Sequence, residues 1–455
     1  MSLLVAPVEL DPLASTPLRL RFPELGTAMD TDAMRTRLQG LLLDGTGLVA
    51  DACDRPKAEV NGDVCWFQYP LEVRAPSVGS HKVLVLGAMF ADRGAAARFE
   101  RDTLAPLAAR WRVGPETGPK PTGVLESMGM AVSVFPVNGL VPTLVELTDP
   151  RHLGPVFRWI LAMEDEAEVA GVDLVALRRT GGCVLRYRLG TGPDHTVVYG
   201  KVGSSAAAEV VREGLEGLAR HSLPQNRGTF LFPRVLGYSA ELDLTIISGV
   251  PGSRPDLRID GVLETMIDRA AVVAALMHTS GAGVGPAHTM EDELATARNA
   301  VREIAQDAPD FAAWLTAVLD SISEGVQSTP MQPLVFGHGD FTMSQLLVAG
   351  SRVGVLDFDG LRQAEPACDL GRFLASMRTV LAKAGNPSGD RLASRFLDVY
   401  QAVGGQTSSE ARVTVYELTS LVRMAAHSWQ RLKGTRLRLV CTVLERRIAD
   451  VGLTV

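Results

Sequence analysis

The sequence predicts an α/β (α+β) protein, and three observations carry that prediction. A strand–strand–helix pattern occurs twice within the first 250 residues. Between Val335 and Leu374 two acidic clusters each close a short apolar run, with a strand–turn–strand pattern between them. Behind that stretch the chain reads almost entirely as amphipathic helix.

In chain order, residues 1–28 are proline-rich and predict an irregular arm. A helix begins near Asp30, with Asp30 or Thr31 as its cap and Met34, Leu38, Leu41 and Leu42 on its apolar face. Strands follow at 64–69 and 82–86, a helix at 94–111, an extended stretch at 130–135 and a helix at 151–168. The pattern then restarts, with strands at 174–177, 183–189 and 196–201, a helix at 205–221, the stretch 232–238 and a strand at 242–247. Helices at 261–280, 290–307 and 308–325 come next. After the acidic stretch, helices are expected at 366–384, 389–404, 408–432 and 435–451.

The restart reads as an internal duplication. Residues 64–71, 83–89, 101–108 and 137–144 lie over 182–189, 196–202, 212–219 and 250–257, in the same order and with only loop-sized changes of offset. The copies differ where chemistry would sit. The second has Lys201 at a strand end and Glu213 on the next helix, with Glu209 one turn away on the same face. The first has Ala88 and Asp102 at those positions. Thr180, Gly181 and Gly182 form the turn between the first two strands of the second copy, where glycine permits positive φ and close backbone approach. A Walker A loop is absent, and the glycines at 281–285 do not form a dinucleotide fingerprint.

The acidic stretch is the most informative. His338-Gly339-Asp340 follows one apolar run and Asp357-Phe358-Asp359 follows another. Between them Gln345 opens a strand whose turn is Ala349-Gly350-Ser351. A hairpin there would gather Asp340, Gln345 and Asp357 at one end. Clustered carboxylates are costly in a core but suit a hard cation that also binds phosphate oxygens.

These residues, in this order and spacing, resemble the catalytic and metal loops of the aminoglycoside phosphotransferase and choline kinase group, relatives of the protein kinases that act on small molecules. The resemblance covers roughly residues 172–455. It implies a bilobal protein-kinase-like fold, with an extra N-terminal α+β domain resembling a degenerate N-lobe. The implied boundaries are an arm at 1–28, a cap domain at 29–150, a helical linker at 151–171, an N-lobe at 172–249 and a C-lobe at 250–455.

The resemblance also implies roles. Asp340 would be the catalytic base and His338 would position its loop. Gln345 and Asp357 would hold Mg²⁺, with Asp359 and Asp369 supporting the loops. Lys201 would contact ATP phosphates and pair with Glu213, Thr180 to Gly182 would cover them, and Ile247 and Gly249 would belong to the purine-binding hinge. The nucleotide would be ATP, with GTP as the alternative. Gln345 departs from the family's usual asparagine, and glutamine here resembles the actinobacterial maltokinase and glucosamine kinase branch.

The implied activity is phosphate transfer to a hydroxyl of a small molecule, a sugar or amino sugar. A nucleotide-binding pseudokinase and an aminoglycoside-resistance kinase are the alternatives. The late helices hold more arginine than carboxylate, which fits a polycationic aminoglycoside poorly and a neutral or anionic acceptor better. His427 and Trp429 would stack on a sugar or, more commonly for such residues, pack between helices.

Composition adds exclusions. The chain has 455 residues, 46% of them hydrophobic and 21% charged, as in ordinary globular proteins of more than one domain. A net charge of −7 gives no reason to expect nucleic acid as a partner. No apolar run has the length of a membrane span, and the N-terminus lacks the pattern of a signal peptide. Five scattered cysteines without a CxxC pair predict reduced thiols and a cytoplasmic location. The oligomeric state is not legible.

Overall fold

The computed structural model describes residues 10–453 apart from 76–78, 112–117, 163–167, 180, 191–195, 222–228, 256–259, 328 and 407. Residues 10–29, expected to be irregular, form a short turn and the helices α1 (Thr16–Arg21) and α2 (Leu25–Met29). Leu18, Phe22, Leu25 and Ala28 are buried, so apolar packing overrides the helix-poor composition. Ser15 caps α1 through Leu18 N and donates its hydroxyl to Asp307 O, which ties the arm to the C-terminal part of the chain. Helix α3 (Thr31–Leu38) starts at Asp30, whose carboxylate accepts from Ala33 N at 2.8 Å.

The N-terminal domain is a six-stranded antiparallel sheet of β1 (Val49–Cys53), β2 (Lys57–Asn61), β3 (Val64–Ala75), β4 (Gly79–Phe90), β5 (Thr122–Leu125) and β6 (Met130–Val134). Helices α4 (Arg93–Phe99) and α5 (Ala105–Arg110), continuous through a wider turn, connect β4 to the β5–β6 pair. Helices α6 (Leu144–Leu147) and α7 (Pro150–Ile160) follow. The second sheet comprises β7 (Val169–Leu177), β8 (Cys183–Leu189), β9 (Thr196–Val202), β11 (Val235–Ser239) and β12 (Leu244–Ser248), with α8 (Ala208–His221) and the short β10 (Phe230–Leu231) between β9 and β11.

The second sheet runs β11-β12-β9-β8-β7 and the first β5-β6-β4-β3-β1, with β2 also on β3. The helical insertion follows the third strand of the shared order in both, between β4 and β5 in the first and between β9 and β11 in the second, so the repeat seen in the sequence is a repeat of topology. The linker expected over 151–171 is not a free connection. Leu153, Phe157 and Ile160 share a core with the second sheet, Phe157 meets Tyr187 edge-on at 4.8 Å, and Tyr187 donates to Leu147 O.

The C-terminal part is helical, with α9 (Asp260–Thr279), α10 (Met290–Ala305), α11 (Pro309–Gln327), α12 (Pro366–Lys383), α13 (Gly389–Ala402), α14 (Glu410–Gln430) and α15 (Gly434–Asp450). Two small sheets interrupt it. One pairs β10 with β16 (Arg352–Val355) and β15 (Leu346–Ala349); the other joins β13 (Ala287–His288), β17 (Arg362–Ala364) and β14 (Val335–Gly337). Helix α12 is buried along nearly its whole length. Its N-cap residue, Glu365, receives Arg412 and Tyr416 from α14 in a buried ion pair that joins the loop after β17 to the last helices. No helix among the described residues is long and apolar enough to cross a membrane.

Candidate active site

The site sits where the hairpin β15–β16 meets the loop after β14. Leu346 pairs with Val355 and Ala349 with Arg352, so Gly350-Ser351 is a two-residue turn, with Gly350 at φ +61°. This register sets Gln345 beside Asp357, and the amide Nε2 of Gln345 lies 3.4 Å from both Asp340 Oδ2 and Asp357 Oδ2. The three residues expected to converge do so. Gly339 has φ +75°, and a Cβ there would come within 1.9 Å of Gly360 O, so only glycine lets the two loops touch.

Asp369, in the first turn of α12, organises the loop from below. Its carboxylate accepts from His338 N at 2.7 Å and Gly339 N at 2.9 Å. His278 on α9 adds a third contact through Nε2 at 3.4 Å, while its Nδ1 faces Tyr400 Oη at 2.8 Å. Burial alone would raise the Asp369 pKa, but the bonds from His278 and His338 hold it down at about 2. The His338 ring is fully buried against Phe358. Its Nε2 lies 2.8 Å from Leu356 O, and its Nδ1 faces the Asp340 N–H, so the neutral ring with a proton on Nε2 satisfies both partners. His338 thereby links the loop of Asp340 to the strand end before Asp357.

Lys201, on β9 opposite Val184 and Thr245, reaches across the lobes and is largely buried. Its Nζ lies 2.5 Å from Asp357 Oδ1 and 2.6 Å from Asp359 Oδ1. Asp357 adopts φ +66°, a left-handed conformation rare outside glycine that marks a locally imposed geometry. Burial raises its pKa, the Lys201 charge and hydrogen bond lower it, and the net direction is down.

The expected Lys201–Glu213 pair is not formed. Glu213 is exposed on α8, and Glu209 pairs with Arg212 instead. The two aspartates, drawn close by the hairpin, take the lysine, because a buried ammonium pairs with the carboxylates nearest to it.

A cleft of 480 Å³ lies between the lobes. Gly182, Lys201, Ile247, Gln345, Asp357 and Asp359 all line it. Gly182 has φ +79° and approaches Val202 O, whereas Gly181 does not reach the lining. Gly249, expected at the hinge of the cleft, instead borders a shallow depression with Arg186 and Tyr199 beyond the end of β12. Thr180 lies outside the described residues. The equivalent region of the N-terminal domain, around Ala88, retains only 30 Å³. Phe99 and Arg178–Arg179 of the other lobe fill it, and Asp102 is exposed and paired with Arg101.

Several site features have no signal in the sequence. Arg372, one turn after Asp369, donates to Glu293 Oε1 at 2.6 Å and stands 4.0 Å from Asp340 Oδ1. Glu293 also receives Arg423 at 3.1 Å and His288 at 2.8 Å. The β7–β8 turn is held by the N-terminal domain: Gln68 donates to Leu177 O at 3.0 Å, and Glu59 pairs with Arg179 at 2.8 Å and with Arg431, just after α14, at 3.2 Å. Trp429 is buried in the helical core and is unavailable for sugar stacking. Only the helix spacing of Arg372 to Asp369 could have hinted at its position; the others depend on chain crossings.

With this geometry in place, residues 206–412 match the profile of the APH family, described as the phosphotransferase enzyme family. That segment belongs to the phosphotransferase family. No curated protein matches the chain. Among solved structures, the protein is similar to a glucosamine kinase in complex with glucosamine, ADP and inorganic phosphate, at 18% identity over 67% of this chain and 87% of that one, with a TM-score of 0.45. It is similar to a thermostable mutant of aminoglycoside phosphotransferase APH(4)-Ia, at 14% identity over 63% and 96%, also at 0.45. A choline/ethanolamine kinase family protein from Mesorhizobium loti matches at 16% identity over 59% and 88%, at 0.43. Likenesses at this level carry nothing about the substrate of the phosphotransferase-family domain.

Proposed function

We propose that the protein is a Mg²⁺- and ATP-dependent kinase that transfers the γ-phosphate to a hydroxyl of a small molecule, a sugar or amino sugar. The observation that carries this reading is the meeting of Gln345 and Asp357 with Lys201 on the floor of the cleft between the lobes, with Asp340 beside it, 3.4 Å from the Gln345 amide.

In this reading the purine lies along Ile247 and Ser248, the half-buried end of β12, and the phosphates run under the β7–β8 turn toward Lys201. Asp340, about half exposed, faces the acceptor. It orients the hydroxyl and takes its proton as the new O–P bond forms and the bond between the γ-phosphorus and the bridging oxygen breaks, leaving ADP. Asp369 and His338 hold the Asp340 loop at a fixed distance from Asp357, so that positioning is supplied before substrate arrives.

The donors at the floor are all oxygen: the carboxylates of Asp357 and Asp359 and the carbonyl of Gln345, a set that suits a hard cation. Ligation through Gln345 requires its amide to turn, since its Nε2 now faces the two carboxylates. When bound, Mg²⁺ neutralises charge on the phosphoryl group. A cytoplasmic location belongs to the same proposal, supported by five free cysteines, four of them buried.

The test is ADP release from Mg-ATP over a panel of sugars, amino sugars, aminoglycosides and choline-like alcohols, with Asp340→Ala as control. Acceptor-dependent release that vanishes in the variant while nucleotide binding persists is expected. Tight nucleotide binding without transfer to any acceptor, repeated with GTP, would overturn the reading in favour of a pseudokinase.

A further inference from the structure

A second cavity, of 570 Å³, adjoins the first and falls in the size range of small-molecule sites, about 300–1,000 Å³. Asp359 lines both, so a ligand in one sits next to a ligand in the other. The remaining walls come from α10, through Thr296 and Asn299, from Gly360 and Arg362, and from Arg423 of α14.

The two arginines of this cavity are less fully paired than many in the helical region. Elsewhere in it Arg378, Arg391, Arg395, Arg412, Arg446 and Arg447 each pair with a carboxylate. Arg362 does not: its Nε donates to Gly360 O at 2.8 Å, and among the described residues no carboxylate meets its guanidinium. It lies against Gly339, the residue before Asp340, where an added Cβ would stand 2.5 Å from its Nε. Arg423 has only a share of Glu293, whose carboxylate already serves Arg372 and His288. Asp292, the other acid in the lining, is occupied by the capping box of α10 with Thr289. Arg431, just past the end of α14, Lys433 and Arg436 extend this run of basic residues, and neither Lys433 nor Arg436 makes an ion pair among the described residues. Burial, with the neighbouring arginines, lowers Lys433 to about 8 and keeps His427 neutral by lowering it to about 4.

We propose that this cavity seats the acceptor through an anionic group, a phosphate or a carboxylate, held between Arg362 and Arg423. Guanidinium forks match both groups bidentately, and the free fork of Arg362 beside Asp340 would set the acceptor hydroxyl against the catalytic carboxylate. The inference rests on the phosphotransferase reading for the role of Asp340, and it narrows that reading away from amine-bearing acceptors.

The experiment measures calorimetric binding of a hexose 6-phosphate, a hexuronic acid and the unmodified hexose to the full chain with a non-hydrolysable Mg-ATP analogue present. Wild type, Arg362→Gln and Arg423→Gln are compared. At least one anionic sugar should bind tenfold or more tightly than the neutral one, and each variant should lose that preference at least tenfold. The pair of anions tells phosphate from carboxylate. If Arg423→Gln fails to fold because Arg423 shares Glu293, Arg362→Gln decides, since the Arg362 guanidinium joins no side chain among the described residues. Neutral hexose binding as tightly as both anions, binding by neither anion, or undiminished anion binding by Arg362→Gln overturns the proposal. ADP release is read in parallel: release with neutral sugars alone overturns the anionic site and leaves the kinase, while anion binding without release from any acceptor keeps the site and removes the kinase.

Discussion

Replacing Asp369 by asparagine probes the scaffold of the site without changing its shape. The carboxylate is buried and accepts two backbone N–H groups of the catalytic loop together with His278. An amide keeps one acceptor oxygen and turns a donor toward the remaining N–H. Hydrogen bonds to a charged group contribute roughly 1.5–3 kcal/mol, and a buried donor left without an acceptor costs about 1–3 kcal/mol. The expected loss is therefore about 3 kcal/mol.

The titration of Asp369 sets an independent scale. A folded pKa near 2 against the ordinary 3.8 corresponds to about 2 kcal/mol. Because the folded pKa is lowered, that stabilisation is present above pH 4 and is lost as pH falls toward 2. Thermal melting at pH 7 and hydrogen exchange at His338 and Gly339 N–H provide the assay. The variant should melt about 3 °C or more below wild type, with both amides exchanging faster and a flatter acid dependence between pH 4 and 2. A melting temperature within about 1 °C and unchanged exchange at Gly339 would refute the argument that this carboxylate holds the loop.

Three further outcomes follow from the same geometry. Lys201→Ala should weaken Mg-nucleotide binding tenfold or more, because it removes the cation between Asp357 and Asp359, while Glu213→Gln should change affinity less than twofold; equal losses would mean that α8 swings in to form the pair when nucleotide binds. Glu59→Gln should raise the KM for nucleotide severalfold and speed proteolysis near the β7–β8 turn, since Arg179 loses its charged partner, and an unchanged KM would show that the turn needs no hold from the N-terminal domain. His427 stays neutral in the fold, with its pKa lowered to about 4, so stability should decline as pH falls from 6.5 toward 4, by up to roughly 3 kcal/mol; a flat chemical-denaturation midpoint over that window, or the same decline in His427→Gln, would remove it as the cause.

Much of this protein was legible in the one-dimensional pattern. Helix ends in the C-terminal part lie within a few residues of expectation, because the signals that start them are local: Pro366 in the first turn of α12, Ser409 before α14 and the capping box at Thr289. The hairpin that gathers Asp340, Gln345 and Asp357 was legible for the same reason, its turn and strand lengths being set by adjacent residues. The repeated sheet order was legible from block similarity alone.

Wherever partners come from distant segments, the three-dimensional structure decided. Glu213 carries the right residue type on the right helix, yet Lys201 is taken by two aspartates more than 150 positions away, because the pair that forms is the one the sheets bring nearest. The helices of residues 16–29 form because an apolar surface from another domain is there to bury them. His278 behind Asp369, and Glu293 between Arg372 and Arg423, arise where α9, α10, α12 and α14 cross. Local sequence determined the elements and the chemistry that each can present, while the choice of partner charge belonged to packing, since burial forbids an ion to remain alone and the fold alone determines which opposite charge lies within reach.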